Sequence, residues 1–320
     1  MKRLFGSYNV TELTSRDIRE IEASAKESGE WSPDQLHKMH VKLHQIMEQA
    51  FVDEIIDSNP VARVKMAKPS PQKERNAINE EDLMRLFKAL IWRMDARSIG
   101  LLLIAATGIR RGEDLGLTWR YVDFKSEHFL TALQYDSLHN LRPPKSLKSI
   151  RRICFKGRLA SILRQWKEIQ QEQLEALGIR QTEDTPVVHT IHHATNAERA
   201  KNPDLPAYWV VHVDPDNFRR WCQNFFVDNG FGEYTENVRW ATVNGKKVQR
   251  GKKYRGLILH ELRHTQSTII HRALNLKAAQ HRLGHAQLDS TGNTYTHFVD
   301  ADEIAAVETI DKLIANAEES

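Results

Sequence analysis

Four short segments of the chain hold residues suited to chemistry at a phosphate. Thr107 to Trp119 reads T-G-I-R-R-G-E-D-L-G-L-T-W. Gly108 breaks an apolar helix there, and Arg110 stands where the chain re-enters helix. The planar fork of an arginine and the N–H groups of a helix start both suit an anion. Pro143 to Ile153 reads P-P-K-S-L-K-S-I-R-R-I, with Lys145 and Lys148 flanking a turn between short strands. A hairpin lysine can enter a groove of DNA and protonate a leaving oxygen. His260 to Thr265 reads H-E-L-R-H-T. His260 and Arg263 are three apart, so they share a helix face and pair a proton-exchanging group with a phosphate-neutralising one. Leu283 to Phe298 reads L-G-H-A-Q-L-D-S-T-G-N-T-Y-T-H-F, placing His285 after a helix-ending glycine and Tyr295 ten residues on. A tyrosine hydroxyl ionises near pH ~10, so as a nucleophile it needs cationic neighbours.

Each segment has a plainer reading. Arg110 can be a surface residue beside a turn. The lysine hairpin can touch backbone phosphates alone. The histidines can pack within a helix, and Tyr295 can pack between two. The string H-E-L-R-H also fits the zinc-peptidase pattern H-E-x-x-H, with His260 and His264 as ligands and Glu261 as base. Third-ligand candidates exist in His271, His281, His285 and Glu303. The longer peptidase motif, however, needs glycine where Ser267 stands. That reading also leaves Arg110 and Lys145 without a role.

The elements that must position these residues are mostly helical. Thr14 or Ser15 caps a helix from about Arg16 to Gly29. Ser32-Pro33 opens another, with apolar residues at helical spacing from Leu36 to Ile55, ended by Asn59-Pro60. Residues 61–77 hold Pro69, Pro71 and five Lys/Arg against one Glu, and read as a basic linker. Asn79 with Asp82 opens the next helix, and an apolar helix covers Ser98 to Ala106. Residues 121–156 read as short strands and turns, and 157–177 as helix. Residues 180–208 show no periodicity and read as an insertion or long loop. Helices follow at Asp216–Asn229, His260–Leu274, Leu276–Leu283 and Asp302–Ala317, with a basic, β-like stretch at 231–258. The fold class is mainly α with a small antiparallel sheet (α+β). The domains expected are a helical unit at 1–60, the linker at 61–77 and a larger domain at 78–320.

Charge is segregated along the sequence. Nine Lys/Arg and no acid lie between Ser137 and Lys167, and six Lys/Arg and no acid between Lys246 and Arg255. A net charge of +4 decides little, but such clusters suit a polyanion. The DNA-binding candidates are Lys65, Lys68, Arg142, Lys148, Arg151, Arg152, Lys246, Lys247, Lys252 and Lys253. No apolar run reaches the roughly 18–20 residues of a membrane span, and no signal-peptide pattern opens the chain. Cys154 and Cys222 alone suggest a reduced, cytoplasmic setting.

In this order, the four segments resemble the catalytic domain of the tyrosine recombinases, the integrase family of phages and transposons. The motifs span about residues 80–310, and the N-terminal helices are similar to the end of that family's core-binding domain. The resemblance implies catalytic roles for Arg110, Lys145 (or Lys148), His260, Arg263 and His285, with Tyr295 as nucleophile. It implies strand cleavage and rejoining through a 3′-phosphotyrosine, without cofactor or metal. The partners it implies are double-stranded DNA attachment sites and a homotetramer on synapsed DNA, with an excisionase or host DNA-bending protein beside them. No membrane is involved, and the setting is the bacterial cytoplasm at the nucleoid. It also implies that the last helix docks on a neighbouring protomer. Many members carry an additional arm-binding domain, for which the residues ahead of the linker are too few.

Overall fold

The computed structural model describes residues 2–66, 77–144, 150–235, 239–243, 246–250, 253–274 and 296–319; for 2–3, 239–243, 246–250 and 296–303 it describes the backbone alone. The chain forms two units, Met1–Glu74 and Arg75–Ser320.

The first unit is helical, with α1 (Lys2–Phe5), α2 (Ser15–Glu27) and α3 (Pro33–Val52). Local chemistry sets the helix starts. Thr14 and Asp17 exchange side-chain and backbone hydrogen bonds around the start of α2, and Ser32 and Gln35 do the same at α3, with Pro33 in the first turn. The apolar stripe of α3 (Leu36, Met39, Leu43 and Met47) buries against Ile18 of α2. Val61 and Val64, within the span that composition assigns to the linker, complete that core. The end of α3 corrects the sequence reading, which extends it to Ile55. Glu54 adopts φ 56°, and the Ile55 N–H donates to the Ala50 carbonyl, closing the helix at Val52. Ile55 is therefore exposed.

The second unit is built around α5 (Ala96–Thr107), which is buried from Ser98 onward. A left-handed Met94 joins it to α4 (Glu80–Arg93), and Asp95 caps its start. Around α5 stand α6 (Arg111–Leu115), α7 (Gly157–Glu175), α9 (Pro215–Asp228) and α10 (Leu259–Ala273). A three-stranded antiparallel sheet of β1 (Val122–Asp123), β2 (His128–Leu130) and β5 (Arg152–Cys154) carries Phe129 opposite Ile153 into the core. A separate hairpin pairs β3 (Gln134–Tyr135) with β4 (Leu141–Arg142).

Residues 180–208 are not a loop. Val187 and Val188 are fully buried, the Val187 N–H donates to the Leu117 carbonyl, and the Trp119 N–H donates to the Thr185 carbonyl. Buried Gln170 of α7 organises this run: its Oε1 accepts from the Trp119 indole at 2.6 Å, and its Nε2 donates to the Pro186 carbonyl at 2.9 Å. Beyond it, β6 (His189–His193) pairs with β7 (Tyr208–His212), with α8 (Asn196–Lys201) between them. Further on, β8 (Gly232–Thr235) pairs with β11 (Lys253–Gly256), and β9 (Arg239–Val243) with β10 (Lys246–Arg250).

The last helix, α11 (Thr296–Glu319), packs on α4 and α7 of its own unit. Val307, Ile310 and Ile314 are buried there. Asp311 supplies the cap that α7 lacks, accepting from the Arg158 N–H at 2.6 Å. Gly157, at φ 52°, permits this approach, because a Cβ there would lie 2.0 Å from the Asp311 carboxylate. Among the described residues, no helix is long and apolar enough to cross a membrane.

Candidate active site

The site begins where α5 ends. Gly108 takes φ 69°, its N–H donates to the Ile104 carbonyl, and Ile109 is buried. This turn delivers Arg110 to the N-cap position of α6 with its side chain half-exposed. Glu113, three residues on and fully buried, accepts from the Arg110 N–H and from its Nη1, each at 2.9 Å. Arg151 grips the same carboxylate from the other side, donating Nη1 at 3.0 Å and Nη2 at 2.9 Å. Burial alone would raise the Glu113 pKa. The hydrogen bonds and charge of Arg151, followed by those of Arg110, outweigh it and hold the carboxyl below its ordinary range.

The second arginine arrives from α10. Ile258 and Glu261 close the start of that helix: the Glu261 carboxylate accepts from the Ile258 N–H at 3.0 Å. Glu261, the base of the peptidase reading, is thus a capping residue. Arg263 lies buried one turn into the helix, with Nη1 donating to the Gly108 carbonyl at 2.5 Å. Gln266, one turn later, donates to the Ala105 carbonyl, fixing α10 on α5. Burial first, then the charges of Arg110 and Arg151, push the Arg263 pKa down to about 10, which still leaves it protonated at neutral pH.

Arg110, His260 and Arg263 line one open cavity of about 590 Å3. Arg111 of α6 and Arg219 and Gln223 of α9 complete its polar wall, while Ile109, Cys222, Phe226 and Leu257 make its apolar floor. Arg111 is tethered through Nη1 to the Pro215 carbonyl at 3.2 Å. His264 stacks edge-on against His260 at 4.6 Å between ring centroids. Two guanidinium groups from segments about 150 positions apart in sequence, with an imidazole beside them, are an arrangement that can hold an anion.

The sequence-derived candidates divide accordingly. The structure brings Arg110, His260 and Arg263 together. Lys145, Lys148, His285, Tyr295, Lys68 and Lys252 lie outside the described residues; Tyr295 immediately precedes the first residue of α11. Lys65, Arg152 and Lys253 are exposed. Arg142 is exposed and ion-paired with Asp136. Lys246 and Lys247 belong to β10, paired opposite Val243 and Thr242. Arg151 differs from an exposed cation of the basic run: its side chain is 9% exposed and drawn inward by Glu113. Other members of the 137–167 basic run are also matched by distant acids, Arg158 by Glu318 and Arg164 by Glu127. Charge segregated in sequence is therefore partly neutralised in space. The residues that sequence reasoning passed over are Glu113, Arg151 as its partner, Arg219 and Gln223. Only Glu113 left a signal, the capping-box spacing from Arg110.

No protein-family model matches the sequence. The chain is 22% identical over 310 residues to the ICEBs1 integrase of Bacillus subtilis (strain 168), covering 96% of this chain and 73% of that protein. It is 25% identical over 272 residues to a XerC-like tyrosine recombinase of Caldanaerobacter subterraneus subsp. tengcongensis, covering 82% and 62% respectively. In fold it is similar to the Tn1549 transposon integrase bound to transposon right-end DNA, with TM-score 0.56 and 15% identity over 94% of this chain and 88% of that one. It is also similar to a lambda integrase dimer bound to a COC′ core site, with TM-score 0.51 and 14% identity over 94% and 67%. The sequence relatives are an integrase and a tyrosine recombinase, and the chain shares the fold of solved integrases.

Proposed function

We propose that the chain is a site-specific DNA recombinase that cuts and rejoins strands for integration or excision of a mobile element. The observation that carries this reading is the convergence of Arg110, Arg263 and His260 on one cavity, with both arginines braced by backbone or buried carboxylate. A guanidinium so held is pre-organised for charge that develops on non-bridging phosphate oxygens.

In the mechanism that fits this cavity, Tyr295 attacks the scissile phosphorus and a 5′-hydroxyl leaves, giving a 3′-phosphotyrosine. Arg110 and Arg263 neutralise the non-bridging oxygens. His260 takes the tyrosine proton, Lys145 protonates the leaving oxygen, and His285 hydrogen-bonds the phosphate. The phosphodiester bond energy is kept in the tyrosine link, so a 5′-hydroxyl can rejoin with neither ATP nor metal. Double-stranded attachment sites are the substrate, in the cytoplasm. Four copies act on two duplexes, in keeping with a solved lambda integrase tetramer on a Holliday junction. An excisionase or a DNA-bending protein sets direction.

The test is a nicked suicide duplex, selected from a pool containing the DNA that bounds the encoding element. The wild-type chain traps a covalent adduct. Tyr295→Phe traps none and keeps its affinity for the duplex. An adduct formed by Tyr295→Phe rules out this nucleophile.

A further inference from the structure

Two guanidinium groups, from Arg110 and Arg151, share one carboxylate, that of Glu113, and the charge of Arg263 lies within its field. Were Arg110 its sole partner, the pair would be neutral, and a phosphate in the cavity would meet little of Arg110's charge. Arg151 supplies the second cation. It is held on two sides: its backbone N–H donates to Thr131 Oγ1 at 3.3 Å, and its carbonyl accepts from the Thr131 N–H at 3.1 Å. Its side chain is 9% exposed, so it cannot itself reach a duplex.

Glu113 therefore receives two hydrogen bonds from each arginine, and its orientation is fixed before any ligand arrives. Arg110 spends Nη1 on it; among the described residues, its Nε and Nη2 make no hydrogen bond and remain for an oxygen of the ligand.

We propose that Arg151 is a positioning residue for strand cleavage: by sharing Glu113 it orients Arg110 toward the cavity and preserves the positive charge that Glu113 would otherwise cancel. This rests on the recombinase reading above. The downward pull of Arg151 on Arg263 shows that its field extends to the second arginine of the site.

The test compares the full-length wild type with Arg151→Met and Arg151→Lys in single-turnover adduct formation. The substrate is the selected nicked duplex, made either with an ordinary scissile phosphate or with a methylphosphonate, which lacks the non-bridging charge. Arg151→Met lowers the rate about 10²-fold on the phosphate, the scale of losing one charge-stabilising donor, but under about 10-fold on the methylphosphonate. Its affinity for the duplex stays within about threefold, since the side chain touches no DNA. Arg151→Lys keeps the charge and loses the two-point grip, so it recovers part of the rate on the phosphate. It also stands in should Arg151→Met fail to fold. A merely structural role slows both substrates alike. Equal losses on the two substrates, or wild-type rates in both variants, overturn the proposal while leaving the recombinase reading intact. No adduct from the wild type on any duplex in the pool overturns that reading, and this proposal with it.

Discussion

Two carboxyl side chains, adjacent in sequence and both buried in α6, have different partners and opposite fates. Glu113 faces the cations: four hydrogen bonds from Arg110 and Arg151 keep it ionised. Asp114 faces α5. Among the described residues neither of its oxygens finds a hydrogen-bond partner, and burial drives its pKa well above the ordinary range. A Cβ on Gly100 would lie 2.8 Å from its Oδ2 and 2.9 Å from Val188, so glycine leaves the carboxyl just enough room. One short helix thus carries a carboxylate held ionised beside the cavity and an acid whose burial favours its neutral form. Burial alone favours the neutral acid; burial with two guanidiniums makes a structural anion.

The comparison breaks most sharply at Glu113. Glu113→Ala leaves buried Arg151 without its counter-charge, and losing one partner of a buried pair typically costs about 3–5 kcal/mol. Chemical denaturation of wild type and variant measures it; a loss within experimental error would mean that the clamp is solvent-screened.

Asp114→Leu runs the other way. Leucine has nearly the shape of aspartate and no polar atom to satisfy, so stability rises by about 1–3 kcal/mol at neutral pH. The sign with pH follows from the raised folded pKa. The contribution of Asp114 is fully present below the unfolded carboxyl range, near pH ~4, and is lost as pH rises through the folded value. The advantage of leucine over the wild type therefore grows with pH above that range. An advantage constant from pH 4 to 9 would show that Asp114 does not stay protonated in the fold.

The smallest effect belongs to Asp184→Asn. Asp184 and Arg120 make a two-point pair, both bonds 2.7 Å, as Arg151 and Glu113 do, but at the surface. Exposed pairs contribute little, so the melting temperature stays essentially unchanged. A shift as large as that of Glu113→Ala would remove burial as the distinguishing variable.

What the sequence made readable was whatever is settled within a few residues. Thr14, Ser32-Pro33 and Asn79 announce their helices because a cap bonds within three positions. The T-G-I-R turn and the H-x-x-R face are likewise local. Arg110, His260 and Arg263 were found that way. What stayed hidden depends on distant partners. Residues 185–189 are too short a run to show a period, and they are buried because Gln170 and Leu117 supply hydrogen bonds to them. Arg151 reads as one more cation in a basic run until Glu113, 38 positions away, turns it inward. The end of α3 escaped because Glu54 adopts a left-handed conformation that glycine more often signals.

The central claim is that Arg110 and Arg263 serve a phosphate that becomes bonded to Tyr295. The most direct measurement is to trap the covalent protein–DNA species on a nicked duplex, digest both components, and sequence the nucleotide-bearing peptide by mass spectrometry. The account predicts a single modified peptide with the nucleotide on Tyr295, and its disappearance in Tyr295→Phe. A nucleotide on any other residue, or a wild-type chain that binds the duplex without ever becoming linked to it, would contradict the account.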